Sequence, residues 1–311
     1  MIRIFRRTIK DSSLKICSSH ERSAWYYVIN PSEDEKLEIM RKFRLSRDDM
    51  EDMLDEHERP LIDKEDDKIA LIIRIPFMIE EKGQIVFSTI PWGIVINDYN
   101  ILTVCKRETM LMREFTTDMI KDLYTTKRTR MLLQIFSRTN FYYMRFLRQM
   151  EKLIYKKEVA IKKLQNDDIV YLVEACKSLL FFQTSLTENG NILERIMSGK
   201  VIKLYEQDQD ILEDIVIDNK QTIEMTKIFS KIISNIREAY SSILNNNLNK
   251  IMKFLAAMTV ILTIPTIMGT VYGMNVDLPF QQTNFIFTFL LTSSLLIATF
   301  VVLLFYKKGW L

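Results

Sequence analysis

The chain has 311 residues, a formal charge of +3 from 43 Lys and Arg against 40 Asp and Glu, and a mean hydropathy of −0.01. Those averages suit one large or two ordinary soluble domains, yet between Phe254 and Tyr306 the sole charged side chain is Asp277. Cys17, Cys105 and Cys176 form no CxxC pair and His20 and His57 stand apart, which argues against a zinc site or a disulfide framework; interleaved acidic and basic blocks argue against a nucleic-acid groove.

The start, MIRIFRRTIK, is basic without a following apolar core, so no cleavable signal peptide is expected. Strand-like runs rich in Ile and Val follow at residues 25–30, 68–75, 84–90, 94–97 and 101–105, punctuated by Pro76, Gly83, Pro91 and Gly93. Two helices are expected among them. One opens with the capping box Ser32-Glu33-Asp34-Glu35, the other with the weaker Ser46-Arg47-Asp48-Asp49. Residues 1–125 therefore read as an α/β domain.

The punctuation then changes. No proline occurs between Pro91 and Pro265 and no glycine between Gly93 and Gly190, so residues 126–253 read as helical. One or two antiparallel helices are expected across residues 113–187, with Asn189-Gly190-Asn191 as the turn. A last helix from Ile202 to Tyr272 would hold 71 residues and extend roughly 105 Å. Its apolar positions, among them Ile215, Met225, Ile232 and Ile236, recur at three- and four-residue steps, so the rod needs partners from its own chain or from other copies.

Residues 254–272 and 285–306 would form helices of roughly 28 and 33 Å. Both match a hydrocarbon core of about 30 Å and read as transmembrane spans. A buried soluble hairpin is the poorer reading, because residues 285–306 offer only small hydroxyls as a polar face. Lys250 and Lys253 precede the first span, Lys307 and Lys308 follow the second, and the connection 273–284 has no Lys or Arg. The positive-inside bias puts both termini in the cytoplasm and the connection outside.

Within the first span, Asn249, Met252, Ala256, Thr259, Thr263, Thr266 and Thr270 recur at alternating steps of three and four residues, which keeps them on one helix face. Every threonine of residues 254–271 lies there. Two readings stay open: close helix packing through small hydroxyl residues, or the wall of a pore built from several copies.

The first span ends in Tyr272-Gly273-Met274-Asn275, and the second is followed by Lys307-Lys308-Gly309-Trp310-Leu311. In these features the chain resembles the CorA magnesium-transporter family. Pro265-Thr266, Asn249-Lys250-Ile251-Met252-Lys253 and Asp55-Glu56-His57-Glu58-Arg59-Pro60 add to the likeness. The resemblance implies an α+β membrane protein assembled as a funnel-shaped homopentamer. Its parts would be an N-terminal cytoplasmic α/β domain, a long stalk helix continuous with a pore-lining span (254–272), an external loop (273–284), an outer span (285–306) and a basic tail (307–311). It also implies a multi-pass protein of the plasma membrane that is no enzyme, with Mg²⁺ as transported and regulatory ion and Co²⁺ or Ni²⁺ as further cargo. No G-x-x-x-x-G-K-[ST] loop is present to suggest an ATP-driven pump.

Magnesium dehydrates reluctantly, so its entrance need not be a cage of carboxylates. Gly273, Met274 and Asn275 then read as a selectivity filter, with a ring of Asn275 carboxamides and carbonyls near Gly273 accepting hydrogen bonds from the ion's water shell. Gly273 would let the backbone turn and Met274 would pack the loop; the plainer role for Asn275 is a helix C-cap. Thr266, Thr263 and Thr259 would meet the passing waters, Met252 and Leu255 would form an apolar constriction, and Asn249 a further polar ring. Thr263 stands where the family often has a bulkier apolar residue, which would leave closure to Met252 and Leu255.

Eleven carboxylates fall between Asp48 and Asp67, and Glu206, Asp208, Asp210, Glu213, Asp214 and Asp218 form a second group. Such runs are either solvated faces or, by the resemblance, regulatory sites between subunits. Neither holds an EF-hand pattern. The resemblance assigns Asp214 as the stalk regulatory aspartate, with Glu80 or Glu81, after the strand near Ile75, as its partner. Asp277 would be the sole fixed charge at the mouth, because the loop lacks the glutamate many members carry. The alternatives are a Co²⁺, Ni²⁺ or Zn²⁺ transporter of the same fold and a membrane-anchored sensor or scaffold. The threonine stripe speaks against the last.

Overall fold

The computed structural model describes residues 1–311 except 19, 20, 66, 67, 82, 83, 203, 277, 280–282, 284 and 311, and the side chains of 81, 84 and 163. Two units are distinguished, Met1–Asn235 and Ile236–Leu311.

In the first unit, β1 (Ile2–Arg6), β2 (Lys15–Ile16), β3 (Trp25–Ile29), β4 (Leu61–Glu65), β5 (Lys68–Glu81), β6 (Gln84–Asn97) and β7 (Ile101–Cys105) form one mixed sheet. Its order is β2-β1-β3-β7-β6-β5-β4, with β3 and β7 parallel and the other described pairs antiparallel. Alternate side chains serve two cores. Tyr26 and Val28 pack with Ile39 and Phe43 of α1 (Glu33–Phe43) and Met50 and Met53 of α2 (Arg47–Leu54). On the other face Phe115 of α3 (Met110–Thr116) meets Trp25 and Trp92 edge-on, at 6.4 and 6.0 Å. Both expected capping boxes are present: Ser32 with Glu35 opens α1, and Ser46 with Asp49 opens α2.

The strands outrun the expectation. Pro76, Pro91 and Gly93 lie inside β5 and β6 and do not end them. The ladder explains why. β4 pairs β5 only as far as Ile72, and β7 pairs β6 only from Gly93 onward, so each proline sits where its strand has one partner and its missing N–H costs little. Gly93 is needed for another reason: a Cβ there would stand 2.3 Å from Cγ of Met53.

Four helices follow, and here the expected turn fails. Asn189-Gly190-Asn191 lies inside α5 (Asn166–Met197), while the break between α4 (Arg128–Val159) and α5 falls at a short 3₁₀ turn, Ile161–Lys163. Packing keeps these residues in the helix. The Asn189 carboxamide accepts from the Arg74 N–H at 3.0 Å and donates to the Arg74 carbonyl at 2.8 Å, doing for β5 what β4 no longer does there. A Cβ on Gly190 would stand 2.8 Å from Nδ2 of Asn219, which is itself bonded to the Leu186 carbonyl. The last two helices are α6 (Glu206–Tyr272), four residues shorter at its start than expected, and α7 (Ile286–Lys307).

Three described helices are long and apolar enough to cross a membrane. The apolar window of α5 is 39% buried, against 6% for α6 and 11% for α7. Leu172, Leu179, Phe182 and Leu186 of α5 are core residues, and Phe182 meets Phe87 of β6, so α5 belongs to the soluble unit. Beyond α7, Trp310 stacks on Phe305 with centroids 5.3 Å apart, an aromatic anchor suited to a bilayer interface.

Asn189→Leu should lower the unfolding free energy of the soluble unit by about 1–3 kcal/mol, because it leaves the Arg74 N–H unpaired and removes one of the two hydrogen bonds to the Arg74 carbonyl. Gly190→Ala should cost about 1–3 kcal/mol by overpacking. Denaturant titration of each variant measures both.

Candidate ion pathway

Residues 236–272 of α6 and the whole of α7 make up the second unit's helices. On α6 a partly or fully covered stripe runs through Ala257, Ile261, Ile264, Met268 and Tyr272; on α7 a matching one runs through Ile286, Leu290, Ser294, Ala298, Val301 and Phe305. Ala257 and Ser294 are the buried points, small side chains of the kind that let membrane helices approach closely.

The threonine face is separate from that stripe. Asn249, Met252, Ala256, Thr259, Thr263, Thr266 and Thr270 are all exposed in the chain, with Met252 at 65% and Leu255 beside it at 54%. Packing within the chain therefore leaves this face unused. α6 continues through Pro265, which supplies no N–H to the Ile261 carbonyl.

Each hydroxyl bonds back to its own helix. Thr259 donates to the Leu255 carbonyl at 2.9 Å, Thr263 to Thr259 at 2.7 Å, Thr266 to Leu262 at 2.9 Å, and Thr270 to Thr266. A hydroxyl has one proton and two lone pairs, so an oxygen that spends its proton on the helix presents only acceptors outward. The face is thus a ladder of acceptors.

At the end of the span the Gly273 N–H donates to the Gly269 carbonyl at 3.0 Å and the Met274 N–H to Val271 at 3.4 Å, so the helical path persists one residue past Tyr272 and then tightens. The chain turns at Gly273, which is not in the left-handed region; a Cβ there would stand 3.1 Å from the Gly269 carbonyl oxygen. Nor does Asn275 take the left-handed conformation of a C-cap, and its exposed side chain has no hydrogen-bond partner among the described residues. Met274 is exposed, not packed. Asp277 lies outside the described residues.

The acidic groups prove heterogeneous. Asp208 is buried and pairs with Arg130 at 2.8 Å, so it is structural. Asp210, Glu213, Asp214 and Asp218 are exposed on α6. Among the described residues Asp214 has no ion-pair partner, and no three His, Cys, Asp or Glu side chains of the chain converge on a metal-sized site. Glu80 lies within β5, opposite Ile85 of β6, not beyond the end of a strand as expected; Glu81 closes β5, and its side chain is not described. In the other group, desolvation and then Glu58, Asp48, Asp49 and Asp55 raise the Asp52 carboxyl above its ordinary value.

One extension of the stripe escaped the sequence reading. The same three-and-four spacing continues backward from Asn249 through Asn245, Ser242 and Glu238, all exposed. The periodicity that identified the threonines also marks these residues.

A soluble mixed α/β unit, two apolar spans and an acceptor-lined face ending in Gly-Met-Asn define a two-span membrane protein of the transporter class. The chain belongs to the CorA-like Mg²⁺ transporter protein family, whose sequence profile matches residues 20–307. The cobalt/magnesium transport protein CorA of Methanocaldococcus jannaschii is 23% identical over 301 residues, 93% of this chain and 92% of that protein. The magnesium transport protein CorA of Helicobacter pylori is 28% identical over 150 residues, 47% of this chain and 46% of its own. Among solved structures, the complete CorA magnesium transporter from M. jannaschii matches with a TM-score of 0.87 at 20% identity, covering 100% of this chain and 99% of the other. Full-length CmaX matches with a TM-score of 0.73 at 15% identity, covering 98% and 96%. At these identities the structural matches establish a shared fold.

If the threonine face lines water, single cysteines at Thr259, Thr263 and Thr266, in a background lacking Cys17, Cys105 and Cys176, should react with a hydrophilic thiol reagent in membranes. Cysteines at Ile261 and Ile264 should stay protected. Equal labelling at all five would contradict the assignment.

Proposed function

We propose that the protein is a magnesium channel that admits Mg²⁺ to the cytoplasm across the plasma membrane, down its electrochemical gradient, with both termini cytoplasmic and several copies of α6 around one pore. Five copies are proposed on the family resemblance. The observation that carries the reading is the acceptor ladder on α6, exposed on a face that the chain's own packing leaves free.

A hydrated Mg²⁺ presents only O–H donors to its surroundings, and stripping its shell is expensive. A wall of hydroxyl and carboxamide acceptors can hold that shell without replacing it. Asn275, unpartnered among the described residues at the end of the span, is the proposed entry ring, with the carbonyls near Gly273 as further acceptors. Asp277 supplies the fixed negative charge outside. Met252 and Leu255 interrupt the ladder with apolar side chains and form the proposed gate, where narrowing would expel water and stop conduction. The driving force needs no nucleotide: two charges crossing 100 mV release roughly 4.6 kcal/mol.

Regulation by cytoplasmic Mg²⁺ is proposed at Asp214, with Glu80 or Glu81 of a neighbouring copy completing the site. A bound ion relieves repulsion between facing carboxylates and holds subunits together; its loss lets them separate. The exposure of Asp214, without an ion-pair partner among the described residues, supports the assignment. Co²⁺ is the proposed second cargo, on the name of the M. jannaschii relative, since a wall of neutral oxygen acceptors meets the water shells of both ions alike.

Purified protein in liposomes tests the reading. Mg²⁺ uptake should fall at least tenfold in Asn275→Ala, with folding unchanged; uptake unaffected by that change would refute the entry ring. High internal Mg²⁺ should suppress flux in the parent and do so several-fold less in Asp214→Ala. No uptake of any divalent ion would leave the spans as an anchor.

A further inference from the structure

The cations of α4 fall into two groups. Arg130 pairs with Asp208, Arg138 with Glu114, and Lys157 with Asp168. Arg145, Arg148 and Lys152 are exposed and have no carboxylate within ion-pairing distance among the described residues. They are aligned on one face, because residues 138, 141, 145, 148 and 152 recur at steps of three and four. Arg128 and Lys156 of the same helix also lack an ion pair among the described residues, so what sets Arg145, Arg148 and Lys152 apart is that they share one face.

That face lines a cleft of about 640 Å³ between α4 and residues 218–222 of α6, wholly within the first unit. The volume lies in the range of small-molecule sites, roughly 300–1,000 Å³. Phe141, 47% exposed as a residue, forms part of the lining, with the Arg138 guanidinium 4.2 Å from its ring centroid. Gln149 and Gln221 add hydrogen-bonding groups, and Asp218 is the one carboxylate among the described lining residues.

We infer that this α4–α6 cleft binds a magnesium-loaded nucleoside polyphosphate, with Arg145, Arg148 and Lys152 on the phosphates, Phe141 under the base and Asp218 facing the metal. Cations three and four residues apart stand about 5–6 Å from one another on a helix, one to each linked phosphate. Guanidinium forks suit phosphate oxygens in particular. Mg²⁺ is commonly held by one or two carboxylates together with substrate phosphates, which gives Asp218 a role in an otherwise cationic cleft. The site is independent of the ion pathway: it makes no use of the spans, and its failure would leave the proposed pore untouched.

Equilibrium dialysis of the full-length protein in detergent against radiolabelled ATP tests the inference, with and without Mg²⁺. Saturable MgATP binding is expected, weakened about tenfold for each positive charge lost in Arg145→Gln and Arg148→Gln. Phe141→Ala should weaken MgATP but not inorganic magnesium triphosphate. Asp218→Asn should weaken MgATP but not ATP in EDTA. Absence of saturable binding, or binding indifferent to the two arginine changes, would overturn the assignment. Should the glutamine variants melt at a lower temperature than the parent, the double lysine variant, which keeps the charge, must retain binding to within a few-fold, or the site is refuted. A cleft covered by a neighbouring copy would reveal itself as no binding together with a change in oligomer size on substitution, which also refutes it.

Discussion

A threonine hydroxyl inside a bilayer has to give its proton to something, and on α6 the carbonyl one turn back is within reach. Four hydroxyls in succession make that bond. Two requirements are met together. The backbone stays satisfied by its own helix, as an apolar medium demands, and the oxygens are left facing outward as acceptors. A strip of pure acceptors repels nothing that is surrounded by O–H donors, and a hydrated divalent cation is such a species. The rest of the second unit follows from that strip. The covered side chains of α6, small and apolar, lie on a different face, so the acceptors remain open.

The soluble unit depends on a different economy of hydrogen bonds. β4 stops pairing with β5 at Ile72, and two residues later the Arg74 backbone is served by the Asn189 carboxamide from α5 and by the Tyr143 hydroxyl from α4. The Arg74 guanidinium, whose pKa is lowered by burial, bonds the Glu58 and Thr89 carbonyls and the Thr89 hydroxyl. Sheet and helices are thus joined through one residue's backbone and side chain. This joint holds α5 against the sheet, and α5 carries Gly190 close against Asn219 of α6.

Much of the pathway was legible because it repeats. Period and hydropathy reveal the two spans and the threonine face, since each depends on local spacing along one helix, whereas Gly-Met-Asn stands out only through the family resemblance. The same reading misplaced the turn at Asn189-Gly190-Asn191, where composition favours a loop but the carboxamide and the missing Cβ serve contacts with residues far away in sequence. It also divided β5 and β6 at their prolines, because the sequence does not reveal that each proline faces an unpaired edge. The plainer role for Asn275, a helix C-cap, was read from its residue type, and Asn275 lacks the left-handed conformation of such a cap. Glu80 was placed after a strand that in fact extends past it.

The central claim is that the ion is recognised through its water shell. Hexaamminecobalt(III) tests it most directly, because it is a highly charged cation whose ligands present only donors and do not dissociate on the timescale of transport. Measured against Mg²⁺ uptake into proteoliposomes, it should inhibit competitively, and Asn275→Ala should weaken that inhibition about as much as it weakens uptake. Full Mg²⁺ uptake in its presence would contradict the account, because selection would then require direct contact with a dehydrated ion.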